Sequence, residues 1–326
     1  MKFILNEMEF KGFFYIKVFY LGERYYGLAK QPNLDTIEER IENALIQTKY
    51  LPSNSDNDLK FKYLYYAGRT DKFVNAIGMV FGFFSLKENI YLMEINSKLP
   101  KDIIAWAWCK VNDKLDVQNY FEYLSDHQQE NKLTKSKHIK LPRYYAIQRI
   151  YKYFIFDFDN SINIDHTKMI AQKFIGCKDF KAFSKKDLER NTLRCLEEIN
   201  IYRNEDKLVI FEFKSKSFLW HQIRKIITAI IKVIKNEWNE NDIDKLLNIN
   251  SLEKVESIEI NKIISKLNLA NPSQLFLWEI VYPADIKFIV CEKSKKKIIY
   301  LLNEFLNEFE NRYHILKFIK NNCSFF

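Results

Sequence analysis

Two stretches of this 326-residue chain repeat the same alternation of strand-like and helix-like apolar patterns, with a polar run between them. That repetition restricts the fold more than any single residue does. The first stretch opens with an apolar, β-branched and aromatic run at residues 12–21, which ends in the turn-forming Gly22-Glu23-Arg24. Thr36 then reads as a helix N-cap, and Ile37, Ile41, Ala44 and Leu45 fall at helical spacing up to about Lys49. Strand-like runs follow at Lys62–Ala67 and Met79–Ser85, then a short helix around Tyr91–Lys98 and a strand at Ile103–Val111. The order β, α, β, β, α, β is that of the split βαβ, or ferredoxin-like, unit.

The pattern resumes after Pro142, with strands at Arg149–Phe156, Leu196–Tyr202, Lys207–Lys214 and Phe276–Tyr282. Helices are expected at about Asp165–Ile175 and Trp220–Trp238, the second with Ile223, Ile226, Ile227, Ile230, Ile231 and Ile234 inward. The expected organisation is therefore α+β. Two ferredoxin-like lobes occupy residues 1–115 and 141–285, and residues 116–140 form a polar insertion or linker that includes Lys132, Lys135, Lys137 and Lys140. Residues 286–326 form a helical extension, with helices at Cys291–Glu308 and Tyr313–Asn321.

Lys and Arg outnumber Asp and Glu 51 to 42, so the formal charge is +9 and polyanions, nucleic acid first, are the favoured partners. The abundance of Lys, Asn, Ile, Phe and Tyr is also what AT-rich codon usage produces, so charge alone supports RNA binding only weakly. Five cysteines, at 109, 177, 195, 291 and 323, are odd in number and widely spaced; this suggests no disulfide framework and a reducing, cytoplasmic setting. Histidines at 127, 138, 166, 221 and 314 show no metal-ligand spacing, so no protein-bound metal is expected. The seven glycines form neither a dinucleotide-binding turn nor a Walker loop, so no nucleotide cofactor is expected. The chain has no signal-peptide layout and no apolar segment long enough to span a bilayer, which argues against a membrane role.

With metals and nucleotides set aside, chemistry falls to ordinary side chains, and Gly68-Arg69-Thr70-Asp71 stands out directly after a strand. Such a triplet is commonly just a capped turn. Other separated motifs accompany it, however, in a fixed order. They are Phe19-Tyr20-Leu21-Gly22 with Tyr25-Tyr26-Gly27 and Gln31; Thr36-Ile37-Glu38; Asn96, Leu99-Pro100 and Asp102-Ile103; Arg149-Ile150-Tyr151-Lys152-Tyr153; Gly176 with Asp179-Phe180 and Phe183; Ser217-Phe218-Leu219-Trp220-His221-Gln222-Ile223-Arg224; and Leu275-Phe276-Leu277-Trp278 with Val281-Tyr282-Pro283. Together they resemble the TruA family of tRNA pseudouridine synthases, in its archaeal and eukaryotic-like branch, over roughly residues 12–283. Five of the seven glycines, at 22, 27, 68, 78 and 176, fall on family positions.

That resemblance implies a cofactor-free isomerase acting on tRNA, at uridines 38 to 40 of the anticodon arm, as a homodimer with a mostly antiparallel sheet continuous around a basic cleft. It implies Asp71 as nucleophile or base, Arg224 as its cationic partner, and Tyr151 as the ring against the displaced uracil. A free aspartate, pKa about 3.9, is ionised at neutral pH, so the arginine is needed to offset lost hydration and fix direction rather than to remove a proton. Leu275 or Leu277 would wall the pocket, and Arg69, Lys72, Asn75, Lys178, Lys181, Lys185, Lys186 and Arg190 would face RNA. His221 is expected to pack or hydrogen-bond rather than catalyse. One departure stands out. Phe73 replaces the glycine that most relatives carry after the signature, where glycine permits positive φ or close backbone approach. A shifted loop, or an RNA-binding relative that has lost catalysis, is the alternative that this substitution raises.

Overall fold

The computed structural model describes residues 9–53, 62–127, 139–185, 191–248 and 256–322. The first half contains β1 (Gly12–Tyr20), α1 (Ile37–Gln47), β2 (Leu64–Tyr66), β3 (Asn75–Ser85), α2 (Leu92–Asn96), β4 (Ile103–Asp113) and α3 (Lys114–His127). The second contains α4 (Pro142–Tyr145), β5 (Gln148–Phe156), α5 (Ile164–Gln172), β6 (Gly176–Asp179), β7 (Leu193–Arg203), β8 (Leu208–Ser215) and α6 (Gln222–Ile234). It continues through α7 (Glu240–Leu247), α8 (Glu256–Ser265), β9 (Leu275–Val281), β10 (Ile289–Val290) and α9 (Glu292–Asn322).

All ten strands join one sheet in the order β10-β4-β1-β3-β9-β5-β8-β7-β6, with β2 also on β3. Within each half, neighbouring strands are antiparallel. The halves meet at a parallel contact, where Asn75 lies opposite Phe276 and Ala76 opposite Leu277, and at an antiparallel one, where β10 pairs with β4. Every residue of β1 is buried, including the consecutive Phe13, Phe14, Tyr15 and Ile16. A central strand covered on both faces has no polar side to show, which is why its sequence reads as an apolar run rather than an alternation. Lys17 is its one charged member; its ammonium lies 3.3 Å from Glu279 and 4.7 Å over the Phe288 ring.

Several expected elements differ from those observed. The polar stretch after Asp116 is helical through His127, and its remaining lysines, apart from Lys140, lie outside the described residues. The helix expected to reach Trp238 stops at Ile234, where Asn236 takes a φ of 56° and Asn239 opens α7 with a reciprocal capping box. Ile231 and Ile234 are only partly buried. At the carboxyl end a single helix replaces two, because nothing between Phe309 and Tyr313 breaks helical backbone. Its first half packs Ile298, Leu301 and Phe305 against Phe19 and Ile104, and from Leu306 to Asn322 every residue is exposed. Thr36 occupies the cap position of α1 without making a cap hydrogen bond. The expectation of unpaired cysteines fails at one place: Cys177 and Cys195 sit opposite each other on β6 and β7 and are disulfide-bonded. Residues 18 apart gave no local signal for that pairing. No helix among the described residues is long and apolar enough to cross a membrane.

The outer edge of β4 shows how side chains complete the sheet. Asn96 donates to the Ala105 carbonyl at 2.8 Å and accepts from the Ala105 N–H at 2.8 Å, as a neighbouring strand would. Its amide also reaches the Ser294 hydroxyl at 3.0 Å and so joins α9 to the body. Asn96→Ala leaves two buried backbone groups unpaired at about 1–3 kcal/mol each. A loss of roughly 2–4 kcal/mol in denaturant unfolding is therefore expected.

Candidate functional site

The loop between β2 and β3 carries the signature and is fixed on every side. Ala67 continues the β2–β3 pairing through its N–H to Val80. Its carbonyl accepts from the Arg149 guanidinium at 2.9 Å, which also donates to the Arg143 and Lys216 carbonyls. Arg149 is thus a buried cation satisfied by three carbonyls from three segments, and burial lowers its proton affinity. The sequence presented it only as one letter of a motif. Its signal was an arginine next to the aromatic and aliphatic run of a strand, where an unpaired buried charge would be prohibitive.

Thr70 bonds Tyr20 between hydroxyls at 2.7 Å, and its carbonyl accepts from the Leu28 N–H. Two glycines allow other backbone to close over the loop. Gly27 has a φ of 100° beside Thr70, and a Cβ on Gly22 would stand 2.1 Å from the Val74 carbonyl oxygen. Gly22 also donates its N–H to Asn75 Oδ1 at 2.7 Å, while the Asn75 amide donates to the Ser273 carbonyl at 2.7 Å. Asn75 was expected at the RNA. It is instead a buried clamp between the first half and the approach to β9.

The turn from Asp71 to Val74 is closed by the Val74 N–H donating to the Asp71 carbonyl at 3.2 Å. Phe73 occupies its third position with a φ of 68°. The positive φ that glycine would supply is therefore retained by a phenylalanine, at a strain of about 1–2 kcal/mol, and the turn is made without glycine. The Lys72 ammonium lies 4.5 Å from the Phe73 ring centroid and 4.0 Å from that of Tyr26.

This turn directs the Asp71 carboxylate at the start of α6. Asp71 Oδ2 accepts from Arg224 Nη1 at 3.0 Å, and the side chains are 18% and 10% exposed. Arg224 Nε donates to the Ala270 carbonyl at 2.8 Å, so the guanidinium is held from both ends. His221 Nε2 lies 3.6 Å from the same carboxylate oxygen. His221 precedes α6 in the left-handed region, with a φ of 69°. Burial lowers its proton affinity; Asp71 opposes that shift, while Arg224, Lys185 and Lys225 reinforce it.

Tyr151, on β5, is close enough to Asp71 for that charge to act on its hydroxyl. Its ring meets Phe218 edge-on at 5.2 Å, and a Cβ on Gly68 would stand 3.9 Å from its hydroxyl. Burial pushes that hydroxyl up to about 12, with Arg149 opposing and Asp71 adding. Leu277 is fully buried opposite both Tyr151 and Ala76, and Leu275 lies opposite Tyr153. The fold thus gathers Asp71, Tyr151, Leu277 and the pair His221 and Arg224 from four separate parts of the sequence.

Other expected residues lie farther out. Arg69 is exposed and donates to the Tyr66 hydroxyl at 3.0 Å rather than pairing with Asp71. Lys72, Lys181 and Lys185 are exposed on neighbouring loops, while Lys186 and Arg190 lie outside the described residues. Lys178 is on β6, the edge strand, lining a separate cavity of about 410 Å³ with Cys177, Asp179, Leu193 and Asp244.

Comparison with known proteins returns the same chemistry. The model of a family described as tRNA pseudouridine synthase matches residues 170–283. A tRNA pseudouridine synthase A from Methanosarcina acetivorans is 31% identical over 228 residues, covering 70% of this chain and 72% of its own. One from Thermococcus sibiricus is 28% identical over 299 residues, covering 90% and 94%. Among solved structures, a Cbf5-Nop10-Gar1 complex matches at 12% identity and a TM-score of 0.30, covering 70% of this chain and 45% of that one; a likeness so slight bears on nothing.

Two expectations follow from the turn and its histidine. At a φ near 68°, Phe73→Gly should leave unfolding free energy unchanged or raise it by up to about 1 kcal/mol, whereas β-branched Phe73→Val should lower it by roughly that amount or more. Equilibrium denaturation distinguishes these. For His221 the unfolded chain binds the proton more readily than the folded one, so stability rises with pH through the window below the ordinary value of 6.5 and is lost as pH falls through it. His221→Asn, which tolerates positive φ, should flatten that part of a stability–pH profile.

Proposed function

This chain belongs to the tRNA pseudouridine synthase A family, and from that membership we propose that it isomerises uridine in the anticodon arm of tRNA, at positions 38–40, with Asp71 as the acting carboxylate. Isomerisation of tRNA uridine is the family's activity. The position within tRNA and the residue roles are the proposal's own. The reaction breaks the bond from uracil N1 to C1′ of the sugar, turns the base and joins C5 to C1′. It consumes no water and no redox equivalent, so it needs a nucleophile or base at the sugar–base junction and a uridine lifted from its stack.

The supporting observation is the pair at 3.0 Å between Asp71 and Arg224, residues 153 apart in sequence. A carboxylate used in a site dry enough for this reaction must lose hydration, and a fixed guanidinium offsets that loss while leaving one oxygen to act. Tyr151, its hydroxyl raised to about 12, stays protonated at neutral pH and serves as a ring and a neutral dipole rather than as a phenolate. Leu277 lies opposite Tyr151 in the sheet, and Leu275 opposite Tyr153. Arg69, Lys72, Lys181 and Lys185, all exposed, would supply positive charge for the RNA backbone around Asp71.

We read residues 1–115 and 141–285 as two ferredoxin-like lobes, 116–140 as an insertion and 286–326 as an extension. In support, β4-β1-β3-β2 and β9-β5-β8-β7 follow one strand order, with β6 an additional edge strand beyond β7 in the second half. The family reading also carries a homodimer and a cytoplasmic location. A non-catalytic RNA-binding relative is the rival, and it drew on Phe73 closing the loop. The φ of 68° at Phe73, with Asp71 still facing Arg224, favours the catalytic reading.

Unmodified tRNA carrying uridine tritiated at C5 tests this, because joining C5 to C1′ releases the label. Asp71→Asn should cut release by on the order of 10³-fold or more while tRNA affinity changes little. Wild-type protein that binds tRNA but releases no label would refute the proposed reaction.

A further inference from the structure

Trp220 is turned outward between buried neighbours. Leu219 and Gln222 are almost wholly covered, whereas the Trp220 indole is 51% exposed one residue from the histidine that reaches Asp71. The mount is rigid. Gln222 Oε1 accepts from the Leu219 N–H at 2.8 Å, and the Gln222 N–H donates back to the Leu219 carbonyl at 3.2 Å. The Trp220 carbonyl accepts from the Lys185 N–H at 2.9 Å. The loop that carries Lys185 is itself pinned to α6 by Lys225, whose ammonium donates to the Ala182 and Ser184 carbonyls at 2.9 and 2.7 Å. On this mount the Lys185 ammonium lies 3.8 Å from the indole centroid and is exposed.

An indole left half in water on a preordered loop forgoes burial that the adjacent core could have offered, so its exposed ring is available to an outside partner. With one face capped by the Lys185 ammonium, the half-exposed indole is a π surface backed by a cation, which matches one ligand chemistry: an unstacked nucleobase with its phosphate. We propose that Trp220 and Lys185 form a binding site for a nucleotide flanking the reacting uridine, the base stacking on the indole and its phosphate meeting the Lys185 ammonium. This rests on the reading of Asp71 as the reacting centre only for the identity of that uridine. The stacking site itself requires only that RNA enter here. Displacing one nucleotide into a pocket unstacks its neighbour, and a ring beside the pocket takes up the face so exposed.

The test uses the full chain with an unmodified tRNA transcript. Trp220→Leu keeps an apolar side chain and removes the π face; affinity should fall about 5- to 100-fold, the range of one base–aromatic stack. Trp220→Phe should keep most of the affinity but lose most of the quenching of tryptophan emission that tRNA binding causes in wild type. Lys185→Gln should lower the slope of log affinity against log salt by about one unit. Unchanged affinity in Trp220→Leu, or quenching in Trp220→Phe equal to wild type, overturns the proposal. Should Trp220→Leu fail to fold, the quenching comparison decides alone. If wild type shows these effects but releases no label, the assignment of the reaction fails and the stacking site stands.

Discussion

Everything at the site depends on one ion pair between distant parts of the chain. Asp71 leaves β2 in the first half and Arg224 opens α6 in the second, yet they stand 3.0 Å apart. What brings them together is sheet register. β3 and β9 pair over only Asn75–Phe276 and Ala76–Leu277, and the Asn75 amide spans that seam by accepting from Gly22 and donating to Ser273. A one-residue slip there would turn the side chains to the other face and separate the charges. The Arg149 guanidinium guards against such a slip by holding carbonyls on both sides of the junction.

The same region concentrates unfavourable local choices. A phenylalanine and a histidine sit in left-handed backbone, a buried arginine donates to three backbone carbonyls, and Gly22 approaches Val74 too closely for any side chain. Strain of this kind persists only where surrounding structure over-determines it, and here two chain segments and a strand seam converge. The outcome is a carboxylate whose direction is set before any ligand arrives.

Much of this was legible from residue order, and the exceptions have physical causes. The apolar periods of β1, β5, β8, α1 and α6 marked those elements, because each buries a face large enough to leave a pattern. The edge strands β6 and β10 left none, being short and exposed on one side. Asp71, Tyr151 and Arg224 were expected together through resemblance, not through anything local, since residues 153 apart cannot advertise a contact. Asn75 was misplaced because an amide suits a backbone clamp as well as a phosphate, and only burial distinguishes the two. Phe73 raised the opposite error: the sequence suggested that a bulky residue had altered the turn, whereas the backbone tolerates it in the conformation glycine would take.

A ten-stranded sheet running unbroken through both halves has one further implication. Enzymes built from hinged lobes can close around a substrate; here that motion would break the β3–β9 pairs and the Asn75 and Arg149 bonds that cross the same seam. On the proposed reaction, conformational work would then fall on the RNA, which would have to kink to present a nucleotide. Substrate choice would in that case be governed by how readily an RNA deforms, so that pliable loops are accepted and stiff duplexes refused without any base being read.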